Sequence, residues 1–477
     1  MILFTLVAAL VLGVLVGIVS GLIPGLHVNL VASLMVGLYI GTSHSDLLPI
    51  AVFIACVAVS HSFFDFVPSL FLGVPPEALS LLPGHQLVRE GKGAEALWLC
   101  IEGSWRALVL AIILASVSLL LGLLGLNPIA AIEHLMRPFL FWILLGVAVL
   151  LLCLEKRAVI ALALFVVAGL FGLIVLGSPL IADNSPFSVL FPALSGLFGL
   201  PGLIAALLEP ETSTLPLQRE TFRPTESLQP RQLMVASLAG GLGGTVVGLL
   251  PGLGAANAAT LASLGKDREG FEAPRNFLVT TAAIQASDAL FGIAALYFIH
   301  KTRSGASVAI NALVPGLTLI QTAIILGCMF VAGYSSRRLV MRLWPMLLRF
   351  FNRASHRGLT LGTLAFIVTL VALSTGLPGM LILAASTLLG LLPPLLKVRK
   401  SQLMGFFLLP VLLFFSGHEA QVVDLLGLQA KQSFLTELPS TGTIGVFLLV
   451  SLLTGLTAYG YGSWVQRGLG LDAQQRR

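Results

Sequence analysis

The chain of 477 residues is 57% hydrophobic and only 10% charged, with a mean hydropathy of +0.99, against roughly 25% charged residues in soluble domains. This excludes an ordinary soluble domain and indicates a polytopic membrane protein. The net charge of +6 does not point to nucleic acid, because the basic residues gather in short loops between apolar runs, where they orient a membrane protein.

In chain order, Met1 to Leu22 has no basic lead and no small-residue cleavage site, and apolar sequence continues after it, so it reads as a retained membrane segment. Its glycine-spaced stretch Gly17-Ile-Val-Ser-Gly21-Leu-Ile runs into Pro24-Gly25. Proline removes a backbone donor and clashes with the preceding turn, and glycine frees the next residue, so a helix should break here at membrane depth. By likeness to the second copy of this pattern, at 232–264, residues 2–42 read as a re-entrant hairpin; the alternative is that 2–22 spans alone. Apolar stretches at 49–72, 104–126, 138–153, 158–177 and 187–208 follow as crossings of a core about 30 Å thick. The stretch 73–97 holds no span yet is too apolar for a free loop, which suggests re-entrant packing.

The pattern then recurs. Gly244-Thr-Val-Val-Gly248-Leu-Leu runs into Pro251-Gly252 within 232–264, and the arm after the break is too short to span. Crossings are expected at 277–300, 306–332, 358–376, 378–396 and 403–415, with an extra span at 441–462. Cys56, Cys100, Cys153 and Cys328 are isolated, without metal or redox spacing, and read as packing residues.

With the N-terminus outside and both hairpins returning to their own face, 22 of the 27 Lys and Arg fall in cytoplasmic loops, as positive-inside orientation requires. Five crossings separate the hairpins, so the second enters from the opposite face. The expected fold is all-α: a polytopic integral membrane protein of two inverted repeats, each a Pro-Gly-tipped re-entrant hairpin plus about five transmembrane helices, with one extra C-terminal helix. The corresponding organisation is 1–208 first repeat, 209–231 cytoplasmic linker, 232–440 second repeat, and 441–477 C-terminal helix and tail. The protein is placed in the cell (inner, cytoplasmic) membrane with its C-terminus in the cytoplasm.

Irregular backbone at membrane depth is tolerated only inside protein or beside a watery cavity, and a matched pair of such breaks points to a secondary transporter's binding site. Each half-helix after a break offers free N–H groups and a positive dipole end to an anion. The expected substrate-binding set is Pro24, Gly25, His27, Asn29, Pro251, Gly252, Gly254 and Asn257; plain helix capping is the competing reading of His27 and Asn29. The next span of each half carries polar residues that hydrocarbon should exclude. His61 and Asp65 lie four apart on one helical face, and Gln285 and Asp288 occupy the matching region of the second half. These four are the expected ion-coupling set, since a carboxylate inside a membrane is costly and marks ion or proton pathways; a structural His61 to Asp65 pair is the alternative. No cofactor is expected beyond a coupling H+ or Na+, and no metal. No His-Glu-x-x-His, Gly-x-Ser-x-Gly or phosphate-cradling loop occurs, so an enzyme is not expected.

The two Pro-Gly hairpins, Gly73-Val74-Pro75 through Pro83-Gly84-His85 to Arg89-Glu90-Gly91-Lys92-Gly93-Ala94-Glu95-Ala96-Leu97, Glu102-Gly103-Ser104-Trp105, and Glu269-Gly270 through Ala273-Pro274 to Asn276 together resemble the large permease subunit of tripartite tricarboxylate transporters, the TctA family. The resemblance implies ion-driven uptake of a carboxylate, with a small membrane subunit and an extracytoplasmic binding protein as partners. The chain departs from the bacterial pattern at His27-Val28-Asn29, where a further glycine is usual, and at Pro83-Gly84-His85, where Asp-Gly-Tyr is usual; both departures resemble a divergent archaeal-type branch. The expected function is a secondary active transporter for small organic anions such as carboxylates, coupled to a proton or sodium gradient. The alternative is a translocase for an anionic lipid head group such as a polyprenyl phosphate, which would also use paired re-entrant hairpins.

Overall fold

A computed structural model describes residues 2–23, 26, 28–39, 47–72, 86–88, 90–177, 186–208, 218, 227–250, 258, 272–353 and 356–426. The described residues form helices and connections without a strand, and nine helical spans among them, some joining two successive helices, are long and apolar enough to cross a membrane. The chain divides into two compact units, Met1–Arg137 with Thr214–Leu359, and Pro138–Ser213 with Thr360–Arg477. Each unit therefore draws on both halves of the sequence.

In chain order, the first unit contributes α1 (Ile2–Leu22), α2 (Val28–Tyr39), α3 (Leu48–Phe64), α4 (Phe66–Leu72), α5 (Gly93–Leu123) and α6 (Pro128–Met136). The second contributes α7 (Leu140–Cys153), α8 (Ala158–Gly177), α9 (Pro186–Leu194) and α10 (Leu200–Leu208). The chain returns to the first unit with α11 (Pro230–Leu249), α12 (Ala273–Phe298), α13 (Gly305–Leu313) and α14 (Leu319–Arg353). It ends among the described residues with α15 (His356–Gly390), α16 (Leu392–Leu396), α17 (Gly405–Ser416) and α18 (Glu419–Leu425), which from Thr360 onward belong to the second unit.

Lipid is as apolar as leucine, so helices in a membrane associate through close packing of small residues rather than by escaping water. The first unit does this twice in the same register. A side chain at Gly13, Gly17 or Gly21 of α1 would collide with the Cβ of Cys56, Ser60 or Phe64 on α3, at 2.7, 2.5 and 2.7 Å. A side chain at Gly240, Gly244 or Gly248 of α11 would collide with the Cβ of Ala283, Ser287 or Phe291 on α12, at 2.6, 2.8 and 2.8 Å. Each residue of the second set lies 227 positions after its counterpart, from 13 and 240 through to 64 and 291.

The order of these contacts also gives the helix directions. Contacts advance together along α1 and α3, and along α11 and α12, so each pair is parallel. The chain between the members of a pair must then come back to the level where the first helix began. Along α5 and α12 the contacts again advance together, from Glu95 with Arg275 to Ser104 with Ala282. On α14, Ser336 meets Ser60 and Trp344 meets Phe71, in the direction of α3 and α4. Against α5, however, α14 runs backward: Arg337 meets Glu102, while Gly333 sits on Leu108. It follows that α3 and α12 run in opposite directions.

Several expected spans are redrawn. The apolar run 306–332 is not one crossing: α13 starts on a Ser304/Ser307 capping box and ends at Leu313. Pro315 and Gly316, the latter at φ 67°, then separate it from α14. Gly93 to Leu97, assigned to a cytoplasmic stretch, instead form the first turn of α5. The expected span 49–72 is present as one apolar helical run from Leu48 to Phe71, in which α3 passes into α4 at Asp65 with helical φ of −67° and ψ of −19°. The spans 358–376 and 378–396 meet at Gly376, whose φ of 62° interrupts α15 ahead of Pro378. After α17 the chain bends by 117° into α18. Cys153 is exposed and is not a packing residue of the interior, unlike Cys56 and Cys100. The expected span 441–462, the stretch 73–85 and most of the linker 209–231 lie outside the described residues.

In the second unit, α8 and α17 pack through glycine. Gly172 lies on the backbone of Phe406, and Gly405 on that of Phe165, within a core that includes Phe171, Leu389 and Leu403. Glu155 accepts from the Arg399 backbone N–H at 3.1 Å, and Gln402 donates to the Leu151 carbonyl at 3.1 Å.

Candidate functional site

Asp65 sits at the junction of α3 and α4 in helical conformation, its N–H donating to the His61 carbonyl at 3.0 Å. Its side chain is 6% exposed. Oδ2 accepts from Nε2 of Gln285 on α12 at 2.6 Å, while Oδ1 has no hydrogen-bond partner among the described residues. A buried charge or polar atom without a partner is costly, so this oxygen is a chemical anomaly rather than a packing detail.

One turn earlier, the buried His61 places Nδ1 3.1 Å from Ser20 Oγ on α1. Ser20 Oγ also lies 3.2 Å from the Gly17 carbonyl. The glycine seam brings α1 close enough for this contact, since Gly17 and Gly21 flank Ser20. His61 and Asp65 thus share a helical face, as expected, but the carboxylate bonds to Gln285 on another helix. Beside it on α3, Ser60 accepts from Ser336 of α14 at 3.0 Å, with both residues fully buried.

Asn29, on the first turn of α2, packs on Gly305, the first residue of α13, so closely that any side chain at 305 would strike its Oδ1. Ser304, which caps α13, lies over Gly292 of α12, whose added Cβ would sit 3.3 Å from Ser304 Oγ. Asn29, Ser304 and Gly292 therefore meet where α2, α13 and α12 converge, two turns along α12 from Gln285. Arg303 stands just before this point; burial holds its guanidinium below the usual arginine range, with Glu133 acting in the opposite sense. Its Nε is buried without a partner among the described residues. Nothing local in the sequence distinguishes Arg303 from other loop cations, or Ser20, Gly292 and Gly305 from other small residues of apolar runs.

In the second half, Ser287 Oγ lies 3.1 Å from Thr245 Oγ1 on α11. Asp288 is on the next position of α12 and is half-buried. The 227-residue register pairs Ser60 with Ser287 and His61 with Asp288, whereas the counterpart of Asp65 is Gly292. Pro24, Gly25, His27, Pro251, Gly252, Gly254 and Asn257 lie outside the described residues.

The recurring sequence motifs have structural roles beside the site. In Glu102-Gly103-Ser104-Trp105, Glu102 accepts from Arg106 at 2.6 Å and from Arg337 Nε at 2.8 Å. Gly103 lies against the backbone of Val279, and Ser104 donates to the Ala282 carbonyl at 3.2 Å. Trp105 packs on Phe330 and Tyr334. Glu95 and Arg275, 5% and 3% exposed, form a two-pronged ion pair at 2.6 and 3.0 Å, and Ser227 donates to Glu95 at 2.7 Å. Gln218 accepts from the Gly93 N–H and donates to the Val88 carbonyl, each at 2.9 Å. No group of three or more metal-ligating side chains occurs among the described residues.

Residues 7–405 match the family described as the tripartite tricarboxylate transporter TctA family. The chain is also similar to an uncharacterized protein of the archaeon Methanocaldococcus jannaschii, at 28% identity over 371 residues, covering 76% of this chain and 88% of that protein. No solved structure matches the chain.

Proposed function

This chain belongs to the tripartite tricarboxylate transporter TctA family, and on that premise we propose that it moves small organic anions such as carboxylates across the cell membrane, driven by a proton or sodium gradient. The observation that carries the coupling is Asp65, a buried carboxylate with one unpartnered oxygen beside the broken segment α1 to α2. A proton or a cation there satisfies an oxygen that no described residue reaches. His61, bonded to Ser20, and Gln285, bonded to Asp65, set the position of that carboxylate, and Asp288 is the half-buried counterpart of His61 in the other half.

For the anion, the reading places Asn29 and the start of α13 beside the break of the first half. Arg303, with its partly unsatisfied guanidinium two residues before Gly305, supplies the positive charge, and the expected tip residues Pro24, Gly25 and His27 complete that half. Pro251, Gly252, Gly254 and Asn257 form the other half of the binding set. The opposite directions of α3 and α12, each parallel to its own broken partner, support inverted repeats and alternating access between them. The arginines of the loops support an outside N-terminus, and the family supports a small membrane subunit and an extracytoplasmic binding protein as partners.

The test is uptake by the purified chain in liposomes, with a panel of labelled di- and tricarboxylates under imposed proton or sodium gradients. Accumulation that collapses with one of the gradients supports the reading. Absence of carboxylate accumulation under both gradients, with the partner subunits also supplied, overturns it.

A further inference from the structure

A second feature lies away from the transport site, on α14. At 1.5 Å per residue this 35-residue helix is about 52 Å long, well beyond a hydrocarbon core of about 30 Å. Twenty residues from Leu319 reach Arg338, so the last 15 residues of the helix, about 22 Å, project past the core. This end of the chain segment is strongly basic. Six arginines lie between Arg337 and Arg357, and no Asp or Glu occurs from Leu319 to Arg357.

The charges are sorted by face. Arg337 turns inward to Glu102 and lies over Trp105. Arg338, Arg342 and Arg349 are exposed, and at 100° per residue they fall within about 40° of one another on the helix circumference, over about 16 Å of its length. Among the described residues none of the three has a carboxylate partner. Arg338 lies over the Tyr334 ring, and Arg349 donates to the Pro345 carbonyl at 3.2 Å. Exposed apolar side chains share this face: Tyr334 at 43%, Met341 at 37% and Met346 at 57%. A water-facing helix end has no use for exposed methionines, and a purely lipid-facing one has no use for arginines. The mixture fits the level where acyl chains give way to head groups, with a tyrosine at the boundary.

We propose that this face of α14 binds the head groups of anionic phospholipids, with Arg338, Arg342 and Arg349 on the phosphates and Met341 and Met346 in the adjoining acyl region. The charge complementarity is one-sided: the face offers only cations and apolar surface, which an anionic lipid matches and a zwitterionic one matches poorly. The lipid is held at the surface, not carried, so the site is independent of the transport reading.

The test uses the full chain reconstituted in nanodiscs of equal phosphatidylglycerol and phosphatidylcholine, then released into detergent, with the retained lipids counted by native mass spectrometry. The parent is expected to retain phosphatidylglycerol preferentially. The triple variant Arg338→Gln, Arg342→Gln, Arg349→Gln should lose that preference at least tenfold, given about fivefold per arginine at a membrane surface. The triple lysine variant at the same positions, which keeps the charge, should retain most of it and shows that a loss in the glutamine variant is not misfolding. Equal retention of the two lipids by the parent, or an undiminished preference in the glutamine variant, overturns the proposal. So does arginine-dependent capture of an acidic membrane protein in place of the lipid.

Discussion

Gln285 donates its side-chain amide to Asp65 across 220 residues of sequence, at 2.6 Å, and leaves the second oxygen of that carboxylate without a partner among the described residues. The amide fixes one oxygen and so aims the other. If that oxygen takes up the driving ion, Asp65→Asn keeps the shape and removes the responding charge. Gradient-driven accumulation in liposomes should fall at least tenfold while exchange of substrate across the membrane persists. Accumulation equal to that of the parent would make Asp65 a structural residue.

Asn29 and Gly305 give a steric test of the substrate end. Gly305→Ala pushes a methyl into Asn29 Oδ1, and forced contacts in packed interiors typically cost about 1–3 kcal/mol. The melting temperature in detergent should drop. Adding Asn29→Ala removes the two closest contacts, leaving only its Cβ at 2.9 Å, and should restore most of the stability but not carboxylate uptake. Recovery of both would show that Asn29 serves packing alone.

Neighbouring glycines of α11 should behave oppositely. A Cβ at Gly244 runs into the Ile284 carbonyl, a backbone atom that cannot swing away, whereas one at Gly243 has its nearest neighbour, Ile284 Cγ1, at 3.7 Å. Gly244→Ala should therefore destabilise the fold, and Gly243→Ala should be neutral or gain up to about 1 kcal/mol from helix propensity. Fluorescence-detected size exclusion after graded heating separates the two. Equal behaviour would mean that the glycine seam does not hold α11 to α12.

The ion pair of Glu95 and Arg275 is buried on both sides. Removing one member breaks a buried two-pronged contact, a loss of about 3–5 kcal/mol in comparable buried pairs. Glu95→Gln and Arg275→Ala should each melt well below the parent, and the double variant should lose less than the sum of the two. Additive losses would indicate that the two side chains act independently.

The breaks at Pro-Gly, the glycine spacing and the polar residues inside apolar spans were legible because each departs locally from what a membrane helix tolerates. The partners of those residues were not. His61 and Asp65 four apart suggested a pair, yet one bonds to Ser20 and the other to Gln285, and no local periodicity shows which distant helix supplies a partner. Arg303 looked like any loop arginine because its burial depends on the packing of α13. That helix was itself hidden inside a continuous apolar run, where only Pro315-Gly316 hinted at a boundary. The division into two units was invisible for a similar reason: hydropathy orders spans along the chain but does not say which spans pack together.

The shared register of the two glycine seams gives each position of one helix pair a counterpart in the other, 227 residues away. At Gly13 and Gly240, Gly17 and Gly244, and Gly21 and Gly248, the residues are the same. At His61 and Asp288, and at Asp65 and Gly292, they are not. The three glycines of each seam are shared while the charged positions are not, so a substitution in one half has its natural control in the other.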